Sequence, residues 1–305
     1  MIKDAFIKVK NTLKIKHKKP YDMIRATLFP LYIKFRNQSM SKFKGKFIKD
    51  IEFEKVKYKL LLDHSNGFVD QEIFWKGVYE EEVMSCIKEQ VDYLLKVNHK
   101  EKIKDKEVVK CPIVFLDIGC NIGQELIFVS AIDERVKAIG FEPLSFLCNQ
   151  INESIKINNF KNAKVYNVAL GDRDEELAIN IPKINIGGSS IVRDERNTDG
   201  ELTTEKIKVR HAGQFILENK IENIKIIKID VEGYEYEVLS GLHQEGILNR
   251  DKPIIILEYS PFFYKGIYAD RGEKILRLMK DLNYNLKIID GSLDADQANI
   301  LFTPK

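Results

Sequence analysis

Four short apolar runs in this chain each end in a carboxylate: IVFLD at Asp117, AIGFE at Glu142, IIKID at Asp230 and IIILE at Glu258. Unbroken apolar runs of this length read as strands buried on both faces. An acid at the end of each places ionisable groups along one edge of a sheet. After the first acid the chain passes at once into a glycine turn, Gly119 to Gly123. Glycines there let the backbone bend tightly and approach a ligand, and the following helix offers its unpaired N-terminal amides. Asp117 and Glu142 are therefore expected to face one crevice.

Two classes of cofactor compete for such a crevice. A dinucleotide fingerprint needs G-x-G-x-x-G, but the second and third glycine positions counted from Gly119 are Asn121 and Gln124. The chain has D-x-G-x-x-x-G instead, followed by Glu142, a carboxylate able to accept from both hydroxyls of a ribose. That suits a nucleoside without phosphates. S-adenosylmethionine is such a ligand, with a ribose for the carboxylate, a cationic sulfonium for acidic surroundings and an amino-acid tail for the glycine turn. A nicotinamide-dependent oxidoreductase is the weaker reading.

The elements that must hold these acids follow from the pattern between them. Helical spacing recurs at Leu147, Ile151 and Ile155 after the second run, and at Ile275, Met279 and Leu282 after the fourth. Strands alternating with helices imply right-handed crossovers and a mostly parallel α/β sheet, in which ligands lie outside the carboxyl ends of the strands. Within residues 177–210 two strand-like runs, Leu177 to Ile181 and Ile207 to Arg210, flank a polar stretch with Gly187, Gly188, Ser189 and Ser190, which reads as an inserted hairpin or flap. The closing runs NLKIIDG and ANILFTPK have no helix between them and are expected to pair antiparallel. Ahead of the core, residues 51–107 begin strand-like and continue through an aromatic and acidic segment with Phe74, Trp75 and Tyr79. Helical spacing at Val83, Ile87, Val91 and Leu94 leads to a solvated connection from Lys96 to Glu107.

The 305-residue chain carries a net charge of +3, unevenly spread. Residues 1–50 hold 14 Lys/Arg against 3 Asp/Glu, a surplus of +11, which leaves −8 for the remainder. Ile2, Phe6, Val9 and Leu13 recur at helical spacing among lysines, the pattern of a basic amphipathic helix. Such a helix either docks on the protein's own core or touches an anionic membrane surface through residues 1–19; nucleic acid is disfavoured, since no nucleic-acid motif accompanies the charge. The four cysteines form no CxxC pair and the five histidines are scattered, so neither a zinc site nor a disulfide framework is indicated. No apolar run approaches the ~18 residues that cross a bilayer. The expected location is the cytoplasm, with the leader offering peripheral contact at the inner face of the membrane.

Five segments together resemble the FkbM-type methyltransferases: FLDIGCNIG (Phe115 to Gly123), GFEP (Gly140 to Pro143), NVALGD (Asn167 to Asp172), KIDVEGYEYEVLSG (Lys228 to Gly241) and KPIIILE (Lys252 to Glu258). The resemblance implies a class I methyltransferase (Rossmann-like) fold over residues 108–305, with a seven-stranded sheet of order 3-2-1-4-5-7-6 and strand 7 antiparallel. It implies a lead-in over residues 51–107 that covers the cofactor, and a leader, residues 1–50, outside the shared pattern. By the same resemblance Asp117, Gly119, Asn121 and Gly123 surround the methionine portion of S-adenosylmethionine. Glu142, with Pro143 beside it, holds the ribose, Asn167, Ala169 and Leu170 lie by the adenine, and Tyr79 and Glu80 close over the site. The implied reaction is methyl transfer, commonly to a hydroxyl of a sugar or secondary metabolite. The chain departs from the family at His211 to Gln214, HAGQ, where many relatives carry acids.

A hydroxyl becomes a useful nucleophile only when a base receives its proton. The candidates are Asp230, Glu232, Glu258 and His211. The three carboxylates should converge in this sheet order, and could share a proton or bind a divalent cation. A metal is not favoured, because the resemblance does not require one and no histidine stands beside the trio. Glu232 could instead cap the helix starting near Tyr234, and His211 could be a satisfied strand-end histidine. The leading reading is an S-adenosylmethionine-dependent O-methyltransferase of a carbohydrate hydroxyl in surface-glycan (polysaccharide) biosynthesis. The alternatives are methylation of an amine or a secondary-metabolite hydroxyl, or a non-catalytic scaffold in a glycan-modifying complex.

Overall fold

Strands β3 (Ile113–Ile118), β4 (Val136–Phe141), β9 (Ile224–Ile229) and β10 (Ile254–Tyr259) are almost wholly buried along their lengths. Their side chains divide by the two-residue period of a strand. Ile113 and Phe115 enter one apolar cluster, whereas Val114, Leu116 and Ile118 enter another on the opposite face of the sheet. A parallel sheet needs both faces covered, and here both are. The computed structural model describes residues 45–104, 113–183, 185–192 and 202–305. The basic leader up to residue 44, its amphipathic run and residues 1–19 included, lies outside the described residues.

On the first face lie a hairpin of β1 (Lys46–Phe53) and β2 (Val56–Asp63) and helices α1 (Phe68–Lys76), α2 (Glu81–Lys104), α3 (Gln124–Ile132) and α4 (Ser145–Ile157). The other face is covered by α5 (Ala212–Glu218), α6 (Glu235–Gln244), α7 (Ile247–Asp251) and α8 (Arg271–Asp281). With β5 (Ala163–Tyr166), β11 (Tyr284–Gly291) and β12 (Ala298–Pro304), the main sheet runs β11-β12-β10-β9-β3-β4-β5. All neighbours pair parallel except β12, which is antiparallel to both β10 and β11. Chain order reverses between β3 and β9, so the edge beside these strands is the switch point where open α/β sheets take ligands.

The lead-in is anchored to this frame through its hairpin. Tyr58, Leu60 and Leu62 are buried while Lys57 and Lys59 are exposed, and the edge of β2 bonds α4 directly: Leu61 N–H donates to Ser154 Oγ at 3.0 Å, and Asn158 brackets Lys59. Two expectations change here. The first strand starts at Lys46, inside the stretch read as leader. The connection read from Lys96 to Glu107 is helical as far as Lys104, because its lysines and glutamates are good helix formers.

The inserted segment builds a second, three-stranded sheet. β7 (Glu175–Pro182) and β8 (Leu202–His211) form the antiparallel pair, and β6 (Ala169–Gly171) joins β8 in parallel. Gly241 on α6 lets that helix rest against this sheet, since a Cβ there would lie 2.1 Å from the Gly171 carbonyl oxygen. Gly241→Ala is therefore expected to lower stability by about 2–3 kcal/mol, the cost of forcing a methyl into a packed contact. Urea denaturation of the full chain checks this, and an unchanged midpoint would remove the close-approach argument.

Candidate active site

The switch point is closed by the turn between β3 and α3. Gly119 has φ +84°, and a Cβ on it would lie 1.8 Å from the Asp230 carbonyl oxygen, so only glycine allows the ends of β3 and β9 to come this close. Asp230 N–H donates to Ile118 O at 3.0 Å, while the Gly119 and Cys120 amides both donate to Phe141 O. Three strand ends are thus tied into one edge. Asn121 follows at φ +48°, and its amide donates to Glu142 Oε2 at 2.9 Å.

Glu142 stands at the end of β4, 5 % exposed, with its other oxygen accepting from Leu144 N–H at 2.9 Å. Each carboxylate oxygen keeps a lone pair for a ligand. Burial pushes this carboxyl up to about 8 although the two amides favour its charge. Asn167 donates to the carbonyls of Glu142 and Pro143, at 3.0 and 2.7 Å, and so fixes the backbone that carries the acid. Between Glu142, Phe141, Val168, Leu170 and the inserted segment at Ile186 and Gly187 lies a crevice of about 610 Å³, its open mouth included.

A second, smaller crevice adjoins it across the Gly119–Asn121 turn, lined by Tyr79, Glu80, Gln124, Glu125, Lys228 and Asp230. Gln124 clamps the lead-in here, accepting from Tyr79 N–H at 2.7 Å and donating to Tyr79 O at 3.1 Å. Lys228, 5 % exposed, puts its Nζ 3.0 Å from Asp230 Oδ2 and 3.9 Å from Glu125 Oε1. Burial opposes its charge, but Asp230, Glu125, Asp117 and Glu80 outweigh that and hold it well above the ordinary lysine range. Burial pushes Glu80 up to about 7 and Asp117 up to about 8, with Lys228 opposing in both cases. Asp117 is fully buried, and neither of its oxygens has a hydrogen-bond partner among the described residues.

On the far side of Asp230 the three strand-end carboxylates meet. Asp230, Glu232 and Glu258 each present an oxygen within 4.8 Å of the others, an arrangement that would also accept a hard divalent cation. Glu258 is 6 % exposed and accepts from Ser260 Oγ and Gln297 Nε2. Burial, then the charges of Asp230 and Glu232, push it well above the carboxylate range. Glu232 sits in a left-handed turn at φ +52°, and Glu235 holds that turn by accepting from the amides of Val231 and Gly233 and from the Tyr264 hydroxyl. The inserted segment reaches the same turn: buried Ser190 donates to Glu232 O at 2.5 Å.

Gly119, Asn121, Glu142, Pro143, Ala169, Leu170, Asp230 and Glu232 line the larger crevice and Tyr79 and Glu80 the smaller, whereas Asp117, Gly123, Asn167 and Glu258 stand at the same strand ends without lining either, so Asp117 does not face the crevice of Glu142 as expected. His211 lies elsewhere. It ends β8 in the small sheet, where Nδ1 accepts from Gln214 N–H at 3.3 Å and Nε2 pairs with Gln244 Oε1 at 2.9 Å. It caps α5 and lines neither crevice. Trp75 is also away from the crevices, 45 % exposed and edge-on to Phe74. Sequence reasoning missed Lys228, Glu125, Gln124 and Glu235. Lys228 carried a usable signal, since two residues before Asp230 on one strand is the same face.

The sequence pattern of the Methyltransferase FkbM domain matches residues 117–286. "Methyltransferase 1" of Beauveria bassiana is 23 % identical over 166 residues, covering 48 % of this chain and 67 % of that protein. The AMB antimetabolite synthetase AmbE of Pseudomonas aeruginosa is 22 % identical over 221 residues, 62 % of this chain, and the match spans 10 % of that protein. Among solved structures, a putative caffeoyl-CoA O-methyltransferase from Staphylococcus aureus aligns with a TM-score of 0.44 and 11 % identity, over 79 % of this chain and 94 % of that one.

The buried acids set a pH dependence. Asp117 and Glu142, near 8, and Glu80 and Glu235, near 7, keep protons in the folded state that the unfolded chain releases around pH 4. The folded state therefore binds more protons between about pH 4 and 8, so stability falls as pH rises through that window. The melting temperature of the unliganded protein is expected to drop by about 5 °C between pH 6 and 8.5, and Glu142→Gln should flatten part of the slope. Scanning fluorimetry across this range reads it out; a flat or rising profile contradicts the assignment.

Proposed function

The chain belongs to the FkbM methyltransferase family, and from that premise we propose that it is an S-adenosylmethionine-dependent O-methyltransferase acting on a carbohydrate hydroxyl in surface-glycan assembly. The observation that carries the reading is the placement of Glu142: it is buried at the end of β4, oriented by the Asn121 amide, and lines a crevice that Asp230 and Glu232 also line. That is one acid suited to a diol and others suited to a proton, lining one cleft.

The residues present fit the cofactor. Asp117 has two buried oxygens without partners, Glu142 keeps free lone pairs, and the Gly119 turn leaves backbone where a Cβ would intrude. In this reading Asp117, Gly119, Asn121 and Gly123 hold the methionine portion, Glu142 the ribose, and Phe141, Val168, Ala169 and Leu170 the adenine, while Tyr79 and Glu80 cover the tail. The cofactor supplies an electrophilic methyl group on a positively charged sulfur. The protein's part is to orient the acceptor and take its proton. Glu232, half-buried and next to Asp230, is placed to hold an acceptor hydroxyl, and the shared site of Asp230, Glu232 and Glu258 can keep the released proton. The +11 surplus of residues 1–50 supports an acceptor on an anionic surface, such as a lipid-linked sugar.

Isothermal titration tests the cofactor assignment. At pH 8.5, where the Glu142 carboxyl is ionised, S-adenosylmethionine should bind with micromolar affinity and weaken about 30-fold or more in Glu142→Ala, the loss expected for hydrogen bonds to a charged group. NAD should not bind. A folded protein indifferent to S-adenosylmethionine overturns the catalytic reading, and a positive result leads to acceptor screening with nucleotide-linked and lipid-linked sugars.

A further inference from the structure

Among the described residues, Lys228 is the one basic side chain lining either crevice, and it is surrounded by acids from every side. Asp230 shares its strand end, Asp117 comes from β3, Glu125 from α3 and Glu80 from the turn ahead of α2; Glu258 from β10 acts on the same Asp230. Only the contact with Asp230, at 3.0 Å, is at hydrogen-bond length. Asp230 is also the residue common to both crevices and to the carboxylate trio.

Without an ammonium beside it, Asp230 would face the oxygens of Glu232 and Glu258, all within 4.8 Å of one another. No donor among the described residues would then hold the side chain against them. With Lys228 on Oδ2, the carboxylate is fixed at the boundary between the crevices.

We propose that Lys228 is a positioning residue for the methyltransferase site: its buried ammonium holds the Asp230 carboxylate at the junction of the two crevices, so that Lys228 acts on ligand binding through Asp230. This rests on the methyltransferase reading for its binding arm. Neither the Lys228–Asp230 contact nor its geometry depends on that reading.

The test is a double-mutant cycle in the full-length protein: Lys228→Met, Asp230→Asn and the double variant, with Lys228→Arg as the charge-keeping control. Dissociation constants for S-adenosylmethionine are measured by titration and melting temperatures in parallel. Lys228→Met should weaken binding about tenfold or more, and Lys228→Arg, which keeps the charge beside Asp230, should stay within about threefold of wild type. The double variant should bind no worse than Asp230→Asn alone, because contacting groups are not additive. Additive losses, or Lys228→Met binding like wild type, overturn the proposal. A packing role alone would show as lost melting temperature in Lys228→Arg as well, with no coupling to Asp230. If the wild-type protein binds no S-adenosylmethionine, the function proposed above fails, and the melting temperatures decide this inference alone: recovery of several degrees in the double variant over Lys228→Met supports it, additive losses reject it. Should Lys228→Met not fold, Lys228→Gln takes its place in the same cycle.

Discussion

The approach of the Gly119 backbone to the Asp230 carbonyl is the contact on which the site depends. It joins the ends of two parallel strands that flank the switch point, and every other acid is placed relative to it. β4 sets Glu142 on one side through the shared Phe141 carbonyl, and β10 sets Glu258 on the other through parallel pairing with β9. A side chain at Gly119 would separate β3 from β9 and open the edge between the two crevices. The geometry of the carboxylates is thus a consequence of backbone pairing, and side-chain packing refines it.

Bringing so many acids to one buried edge has an electrostatic cost that the chain meets unevenly. Asp230 has an ammonium, Glu142 has two backbone amides and Glu235 has two amides and a phenol, whereas Asp117 has no hydrogen-bond partner among the described residues. Buried polar groups are rarely left in that state. A cationic ligand with hydrogen-bond donors would offset the cost at the place where the protein does not.

What the sequence revealed and what it concealed divide along the distance between interacting residues. The four strand-end acids were legible because an unbroken apolar run followed by an acid is a local pattern, and the α2 helix was legible because Val83, Ile87 and Val91 repeat at its period. The antiparallel last pair followed from a missing helix. The three-stranded sheet was not legible beyond its hairpin, since β6 joins β8 across about 40 residues and is only three residues long. His211 was grouped with the acids because an imidazole can also take a proton, yet pairing in the small sheet takes that strand end to α5. Glu235 was hidden for another reason: as an acid in the first turn of a helix it looks like ordinary dipole compensation, and only the fold shows its oxygens turned back onto the Val231–Gly233 amides.

The same contacts constrain how a proton can be held. Two unit charges about 5 Å apart repel by about 3 kcal/mol at an effective dielectric of 20, so Asp230, Glu232 and Glu258 will not all be ionised together. Asp230 has the ammonium, and Glu258 is the most deeply buried of the three, its ionisation opposed by burial and by both neighbours. Burial and the neighbouring charges therefore favour the proton on Glu258, while the Lys228 ammonium lies against Asp230. The left-handed turn of Glu232 is held by Glu235, which accepts from the Gly233 amide, and by Ser190, which donates to the Glu232 carbonyl, so the backbone of the third carboxylate is fixed beside this pair.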